Sequence, residues 1–455
     1  MPTTLAKQAP TSLQVDCLPR LTINSPCQAC RVCVVVPVRN EAEHLPAMLK
    51  ALTQQVDTQG HPLDPDSYEV LLLANNCTDG SADLARAWGL THPQFNFHVL
   101  DVNLPQSQAC VGYARQLVMN EAYQRLMTVG LNRRIIASTD GDTEVSPTWL
   151  ATMVNEFDQG LEHGVEAVFG RILTRRTTAL GIQAKTSLYF LRYMAHRYLT
   201  AQLEACLDPL PHDGWPRHYQ HFGANLAILA ETYGRIGGMP SVVNQEDVAL
   251  YRRLQQVDAK IRHSPQVKVV TSARCWGRTE GGLAERMGQL AQASCQRQTV
   301  WVESPWLTEA RILVRRQLPP DLGGSKRSRP RPKRTFWRST RLLLLAQWLG
   351  LTKTQLGQAI EAAPTFGLLL EALENEQKQE RPPPPERQQK QGAEVNAWGH
   401  RTVEISLANM HLRQRVQMLL NQGKVVTASV EDWGAYTSLE ALKQVQPIPL
   451  FSLTY

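Results

Sequence analysis

From Arg31 onward, apolar runs and amphipathic stretches take turns along the chain. Cys33–Pro37 is an apolar, β-branched run, Glu41–Gln55 carries a helical period, Val70–Ala74 is a second apolar run and a helix starts at Ser81. The series continues with a strand at Phe95–Leu100 and a helix over Cys110–Met127, which places Val111, Ala114, Leu117 and Val118 on one face. A fourth strand follows at Ile135–Thr139. Period-2 and period-3.6 segments in this order predict an α/β domain, Rossmann-like, with a mainly parallel sheet covered by helices on both faces.

After Trp149 the pattern predicts a helix to about Gln159, a strand at Ala167–Leu173 and a long aromatic-rich helix from about Gln183 to Leu203. The loop Asp208–His221, rich in Pro, His and Trp, interrupts. A strand at Ala224–Leu229, a helix near Asp247–Gln256 and a strand at Val267–Thr271 then close the domain near residue 290. This gives a tail at 1–30, a catalytic-type domain at 31–290 and a mostly helical extension at 291–374. A linker spans 375–392 and a small module of mixed character spans 393–455. Pro382–Pro385 marks the linker, since four prolines cannot continue a helix.

Charge sharpens this division. The chain of 455 residues has a formal charge of +7 from 48 basic and 41 acidic residues. Residues 1–290 hold 26 basic and 27 acidic residues, net −1, and the remainder is net +8. Leu322–Ile360 alone holds nine Lys and Arg and no acid, including the Pro/Arg/Lys-rich Ser325–Arg334. That segment is the candidate contact for an anionic membrane, RNA or another acidic partner, against the ordinary reading of a solvated charge run. Nine cysteines, several inside apolar runs, fit a reducing compartment. With no apolar stretch of bilayer-spanning length and no signal-peptide pattern, the expectation is a cytoplasmic protein, at most peripheral at a membrane.

Ligands of open α/β sheets bind beyond the C-terminal ends of the strands, so the loops there carry the candidate chemistry. Three turn polar abruptly: Pro37-Val38-Arg39-Asn40-Glu41, Asn75-Asn76-Cys77-Thr78-Asp79-Gly80-Ser81 and Thr139-Asp140-Gly141-Asp142. Asp140 and Asp142, separated by one small residue, can point into one cleft and suit a hard divalent cation that takes diphosphate oxygens as further ligands. The competing reading is an acidic turn.

With Gly223-Ala224-Asn225-Leu226-Ala227-Ile228, Gly237-Gly238 and Gln245-Glu246-Asp247-Val248-Ala249-Leu250, these segments stand in the order of glycosyltransferase family 2, which the chain resembles from about residue 33 to 275. The resemblance implies the nucleotide-sugar-binding GT-A fold and a metal-assisted, inverting transfer of one sugar from a nucleoside diphosphate to an acceptor hydroxyl, on a small or lipid-linked molecule. It implies that Pro37, Arg39, Asn40 and Glu41 lie against the nucleotide, that Asn75 and Asp79 hold base and ribose, and that Asp140 and Asp142 bind ribose and a Mg²⁺ or Mn²⁺. Gly223 and Asn225 would lie beneath the donor sugar, and Glu246-Asp247 would carry the catalytic base, with Asp247 in that role. A helix cap is the competing reading for this acidic pair.

The chain departs from the family in places. Asn75 stands where a base-pairing Asp is common, and Thr271-Ser272-Ala273-Arg274 where a metal-binding His is common, leaving Arg274 or Arg278 as candidate diphosphate contacts. The Gln-x-x-Arg-Trp segment of processive synthases is absent, Gln298-Thr299-Val300-Trp301 being a partial echo. The acceptor is expected between Arg171 and His221. Candidates are the helix aromatics Tyr189, Phe190, Tyr193, His196 and Tyr198, or preferably the loop residues His212, Trp215, Arg217, His218 and Tyr219. Cys27-x-x-Cys30-x-x-Cys33 has the close thiol spacing of a metal site but reads as a buried strand cysteine with two incidental ones. Two rival functions remain: a sugar-phosphate nucleotidyltransferase, which would need a Gly-rich phosphate loop after the first strand, and a non-catalytic scaffold or nucleic-acid-binding protein.

Overall fold

The computed structural model describes residue 21 and residues 25–130, 133–160, 162–174, 184–272, 282–318, 340–379, 395–396, 399–400 and 402–422. Its centre is an eight-stranded sheet: β1 Val32–Val38, β2 Tyr68–Asn75, β3 Phe97–Val102, β4 Ile135–Ser138, β5 Thr143–Val145, β6 Ala167–Thr174, β7 Leu226–Leu229 and β8 Ile261–Thr271. The spatial order is β3-β2-β1-β4-β7-β6-β8-β5. β1 pairs in parallel with β2 and β4, β2 with β3, and β6 with β8, whereas β7 runs against β4 and β6, and β5 against β8. Six strands therefore share one direction, as the alternating pattern predicts.

Alternation along each strand feeds two cores. Val32, Val34, Val36 and Val38 enter one core beneath α1 (Leu45–Thr53), α2 (Ser81–Thr91) and α4 (Trp149–Gln159). Cys33 and Val35 enter the other, beneath α3 (Val111–Thr128), α6 (Ala230–Arg235) and α7 (Glu246–Gln256). Both faces are covered, so these strands read as unbroken apolar runs. Cys30 and Cys33 are both buried and all described cysteines are free.

Two short elements have no signature in the sequence pattern. β5 is three residues long and forms only because β8 offers it an antiparallel partner directly after Asp142. The strand Trp301–Glu303 falls where the pattern predicts helix throughout, and pairs with Thr402–Glu404 a hundred residues away. Up to Gln379 the rest of the described C-terminal region is helical, as expected, and Val395–Asn396 pairs antiparallel with Gly399–His400 before the last helix. Helices Pro305–Gln317, Thr340–Leu349, Lys353–Ala362 and Phe366–Gln379 share one core, and Ile405–Asn421 packs with Pro305–Gln317 against the long helix α5 (Ala184–Leu207). Asn375–Gln379 continue a helix, while most of the expected linker and of the tail and 322–339 of the basic segment lie outside the described residues.

Asp258 ties this layer to the sheet domain. It accepts the N–H groups of Phe366 and Gly367 at 2.9 and 2.8 Å, satisfying the orphan donors of a helix start.

Candidate functional site

Strand order places the site. From β1 the chain moves through β2 to β3 on one side, then returns to β4 on the other, so β1/β4 is the switch point where a crevice must open. The pairing of β1 with β4 ends at Val35–Ser138, and Thr139 N–H still reaches the Val35 carbonyl at 3.2 Å. Two residues further, Pro37 faces that same side, where β4 has left. A residue without an N–H costs no ladder hydrogen bond there.

Three loops meet over this crevice. Asn40 (φ 52°) accepts Thr78 N–H at 2.8 Å and donates to its hydroxyl at 3.2 Å. Asp79 accepts Ala42 N–H at 2.9 Å, and Ser81 Oγ accepts Glu41 N–H at 2.9 Å. Arg39 donates to the Ala109 carbonyl at 2.5 Å. The loops after β1 and β2 are thereby locked together. At the end of β2, Asn75 is 2% exposed and its Oδ1 has no hydrogen-bond partner. A buried acceptor left open in this way costs about 1–3 kcal/mol unless a ligand or water meets it.

The centre of the site is a residue that sequence reasoning missed. Arg115 of α3 is 2% exposed and donates to Glu246 Oε1 (3.0 Å), Asp140 Oδ1 (2.8 Å), Ser138 Oγ (2.6 Å) and the Gly223 carbonyl (2.9 Å). Its signal is a lone cation next to the apolar face formed by Ala114 and Val118. Gly223 has to be small: a Cβ there would come within 2.6 Å of the guanidinium carbon. Gly223 N–H in turn donates to Asp247 Oδ2 at 2.8 Å, and the other oxygen of Asp247 accepts Val248 N–H at 2.8 Å. Because β7 is antiparallel, Gly223-Ala224-Asn225 precedes that strand and still lies at the crevice end.

Burial raises the Asp140 carboxyl above its ordinary value, with the Arg115 guanidinium opposing and the Asp142 charge adding to the rise. Burial likewise raises Glu246 and Asp247, against Arg115 for the first and the Gly223 N–H for the second. One guanidinium thus faces several carboxylates, an excess of negative charge that invites a further cation.

Asp142 meets the end of β8. Its Oδ2 accepts the Ser272 hydroxyl at 2.6 Å, and Oδ1 lies 3.4 Å from the Thr271 hydroxyl, so these two residues stand where the family resemblance leads one to look for a His. Among the described residues no set of three or more His, Cys, Asp or Glu could hold a metal ion. Asp140 and Asp142 fit a hard cation that relies on substrate oxygens and waters for its remaining ligands. Arg274 and Arg278 lie outside the described residues.

Two expectations change. Asn225 is fully buried, with Oδ1 accepting Trp149 Nε1 (2.9 Å) and Nδ2 donating to the Arg171 and Val267 carbonyls (3.2 and 3.1 Å). Its amide is spent on the scaffold, so it supports Gly223 instead of touching a sugar. The acceptor loop also differs. Arg262, which holds the Gly214 and Pro216 carbonyls at 2.8 and 3.1 Å, is the second residue of β8, at the end of the sheet opposite the crevice. Arg217 and His218 are buried there or on the way up: Arg217 pairs with Asp213 at 2.9 Å, and His218 lies against the Ser264 carbonyl at 3.0 Å. Only Gln220 to Gly223 reach the crevice end, because the long α5 has carried the chain down and the loop must climb back.

Residues 33–202 match the family model described as Glycosyl transferase family 2. This segment belongs to that family. Among solved structures, the chain is similar to the mannosyltransferase PcManGT from Pyrobaculum calidifontis in complex with GDP-Man and Mn²⁺, at 19% identity over 79% of each chain, TM-score 0.37. It is also similar to S. aureus TarS 1–349 in complex with UDP, at 12% identity over 87% of this chain and 92% of that one, TM-score 0.39. The same protein in complex with UDP-GlcNAc gives 11% identity over 77% and 92%, TM-score 0.38. None of the curated proteins matches the chain. No helix among the described residues is long and apolar enough to cross a membrane.

Proposed function

We propose that this protein is an inverting glycosyltransferase of hexosyl type that moves one sugar from a nucleoside-diphosphate sugar to an acceptor hydroxyl. The observation that carries the proposal is the buried Arg115 cluster, in which Asp140, Glu246, Gly223 and, through Gly223, Asp247 converge at the β1/β4 crevice. Asp140, Gly223 and Glu246-Asp247 belong to segments that the family resemblance singles out, three separate stretches of chain that Arg115 brings together.

Asp247 acts as the base. Its carboxylate is aimed by two backbone N–H groups, each oxygen keeps a further lone pair, and burial raises its affinity for protons, which suits proton abstraction. The acceptor O–H gives its proton to Asp247, the acceptor oxygen forms a bond to the anomeric carbon, and the bond from that carbon to the diphosphate oxygen breaks, the electron pair leaving with the nucleoside diphosphate. Attack opposite the leaving group inverts the anomeric centre. Asp140 and Asp142 would hold Mg²⁺ or Mn²⁺, which when bound neutralises charge on the departing diphosphate. Asn75, with its open Oδ1, takes the base edge, Asp79 and Asn40 brace the ribose side, and Pro37, Arg39 and Glu41 form the nucleotide wall.

The test is thermal stability with UDP-, GDP-, ADP- and dTDP-sugars, with and without Mn²⁺. A true donor at a hundred times its Kd stabilises by about 2.7 kcal/mol. A Mn²⁺-dependent rise with one base, accompanied by slow release of the nucleoside diphosphate, is expected; no response to any donor would reject the reading.

A further inference from the structure

We infer that α5 and the helix Ile405–Asn421 beside it form a docking surface for an anionic lipid bilayer. The proposal is separate from the chemistry of the crevice and from the basic segment at 322–360.

Large apolar side chains that face solvent are not spread evenly over this molecule. Of the fifteen described ones, Leu188, Leu191, Tyr198 and Trp215 lie along α5 and its following loop. Leu407, Met410, Met418 and Leu420 lie on Ile405–Asn421, Trp301 opens the strand that pairs with the segment just before that helix, and Trp306 follows that strand. Ten of fifteen therefore fall in one layer, where a handful of scattered ones would need no explanation.

Their spacing is that of a stripe. Leu188, Leu191, Ala195 and Tyr198 follow i, i+3, i+7, i+10, one face of a helix, and Trp215 extends the line by packing edge-on against Tyr198 at 5.5 Å between ring centroids. Leu191 at 62% and Leu188 at 45% exposure are the boldest points. The buried side of α5 is elsewhere: Leu199, Leu203 and Leu207 pack against Ile405–Asn421 and Pro305–Gln317. On Ile405–Asn421 the residues Ala408, Leu412, Val416 and Leu419 are buried, which leaves Leu407, Met410 and Met418 outward.

Charge selects the occupant. From Ala184 to Leu203 the chain has Lys185, Arg192 and Arg197 and no acid, and from Ile405 to Asn421 it has Arg413 and Arg415 and no acid. The acids beside them are committed: Glu204 pairs with Arg217 and Arg315, Glu404 caps the helix start through Ser406 and Leu407 N–H, and Glu309 of Pro305–Gln317 holds Arg415 at 2.6 Å, so Arg192, Arg197 and Arg413 are the cations this face offers. Apolar stripes carrying Trp and Tyr, with cations in excess beside them, match the headgroup level of an anionic bilayer, where apolar side chains enter the acyl boundary and Arg reaches phosphate. The placement also makes chemical sense. Tyr219 donates its hydroxyl to Met194 at 2.8 Å and the adjoining Gln220 holds Ile172 near the end of β6, so the N-terminal half of α5 lies toward the crevice end of the sheet. A bilayer on this stripe would present lipid-linked hydroxyls to the mouth of the site.

The experiment is co-sedimentation of the full chain with phosphatidylcholine vesicles and with vesicles containing phosphatidylglycerol, comparing wild type, L188E/L191E and a variant with Lys326, Arg327, Arg329, Arg331, Lys333 and Arg334 replaced by Gln, which leaves the helices Thr340–Leu349 and Lys353–Ala362 in place. Binding to the phosphatidylglycerol vesicles that weakens with salt, and a partition coefficient about tenfold or more lower in L188E/L191E at unchanged melting temperature, is expected. W215A, remote from the crevice, keeps the assignment testable should the double variant fold poorly, and should lower binding in the same direction. Absence of vesicle binding, equal binding by both stripe variants, or loss of binding only on neutralising the Lys and Arg of 326–334 would overturn it. So would a wild-type dimer in solution that L188E/L191E dissociates, because a second copy would then be the occupant. None of these readouts needs a donor sugar, so failure here and failure of the transferase reading are distinguishable.

Discussion

Replacing Arg115 by Met keeps length and apolar bulk but removes the cation that meets Asp140, Glu246, Ser138 and the Gly223 carbonyl at 2.6–3.0 Å. Breaking a buried ion pair from one side typically costs about 3–5 kcal/mol, because the partner is left as an uncompensated buried charge. At about 2–4 °C per kcal/mol for a domain of this size, the melting temperature should fall by roughly 6–20 °C. The pH dependence carries the sharper signature. Burial already raises Asp140 and Glu246, and Arg115 opposes that rise in both, so its removal raises them further. The native state of the variant then binds more protons than the unfolded chain from about pH 4 upward, and stability falls as pH rises through that window. The deficit against wild type should therefore be small near about pH 5 and largest near about pH 8. Scanning calorimetry or fluorimetry of both proteins across that range measures it. A drop of less than about 2 °C, or one equal at both ends, would refute the view that this guanidinium holds the site's carboxylates in their ionised state.

Asp247→Asn keeps the shape of the carboxylate and loses the base. Transfer to an acceptor should fall by about 10²–10⁴-fold while donor binding, read by thermal shift, persists; undiminished transfer would remove Asp247 from the role. Because burial raises Asp247, the acid limb of the wild-type rate profile should lie above the ordinary carboxylate range, and a limb at or below about pH 4 would contradict that environment. Asp142→Ala should abolish the Mn²⁺-dependent part of donor stabilisation and lower nucleoside diphosphate release by about 10²-fold or more. The fold should stay intact, since the Thr143, Thr271 and Ser272 hydroxyls that lean on that side chain are neutral and β5 and β8 pair through their backbones. Retention of full metal dependence would show that the cation is held elsewhere.

Local and periodic features were readable from the chain alone. Unbroken β-branched runs such as Val32–Val38 can be stable only between two apolar layers, so the covered, mainly parallel sheet followed from pattern, as did the abrupt polar ends at Pro37, Asn75 and Asp140. Features that depend on partners far apart in the chain were settled only by packing. Arg115 looked like one cation beside an apolar helix face, and the meeting of α3 with β4, the Gly223 turn and the start of α7 turned it into the hub of the site. Asn225 looked like a ligand and proved to be a strut, because a buried amide must find hydrogen bonds and Trp149, Arg171 and Val267 supply them. The His/Trp loop looked like an acceptor site until the length of α5 carried it to the far end of the sheet. β5 and the strand Trp301–Glu303 are too short to announce themselves and exist because a neighbouring strand offers them unpaired backbone. Period and polarity are written residue by residue, whereas the environment of a buried charge is written only by everything that folds around it.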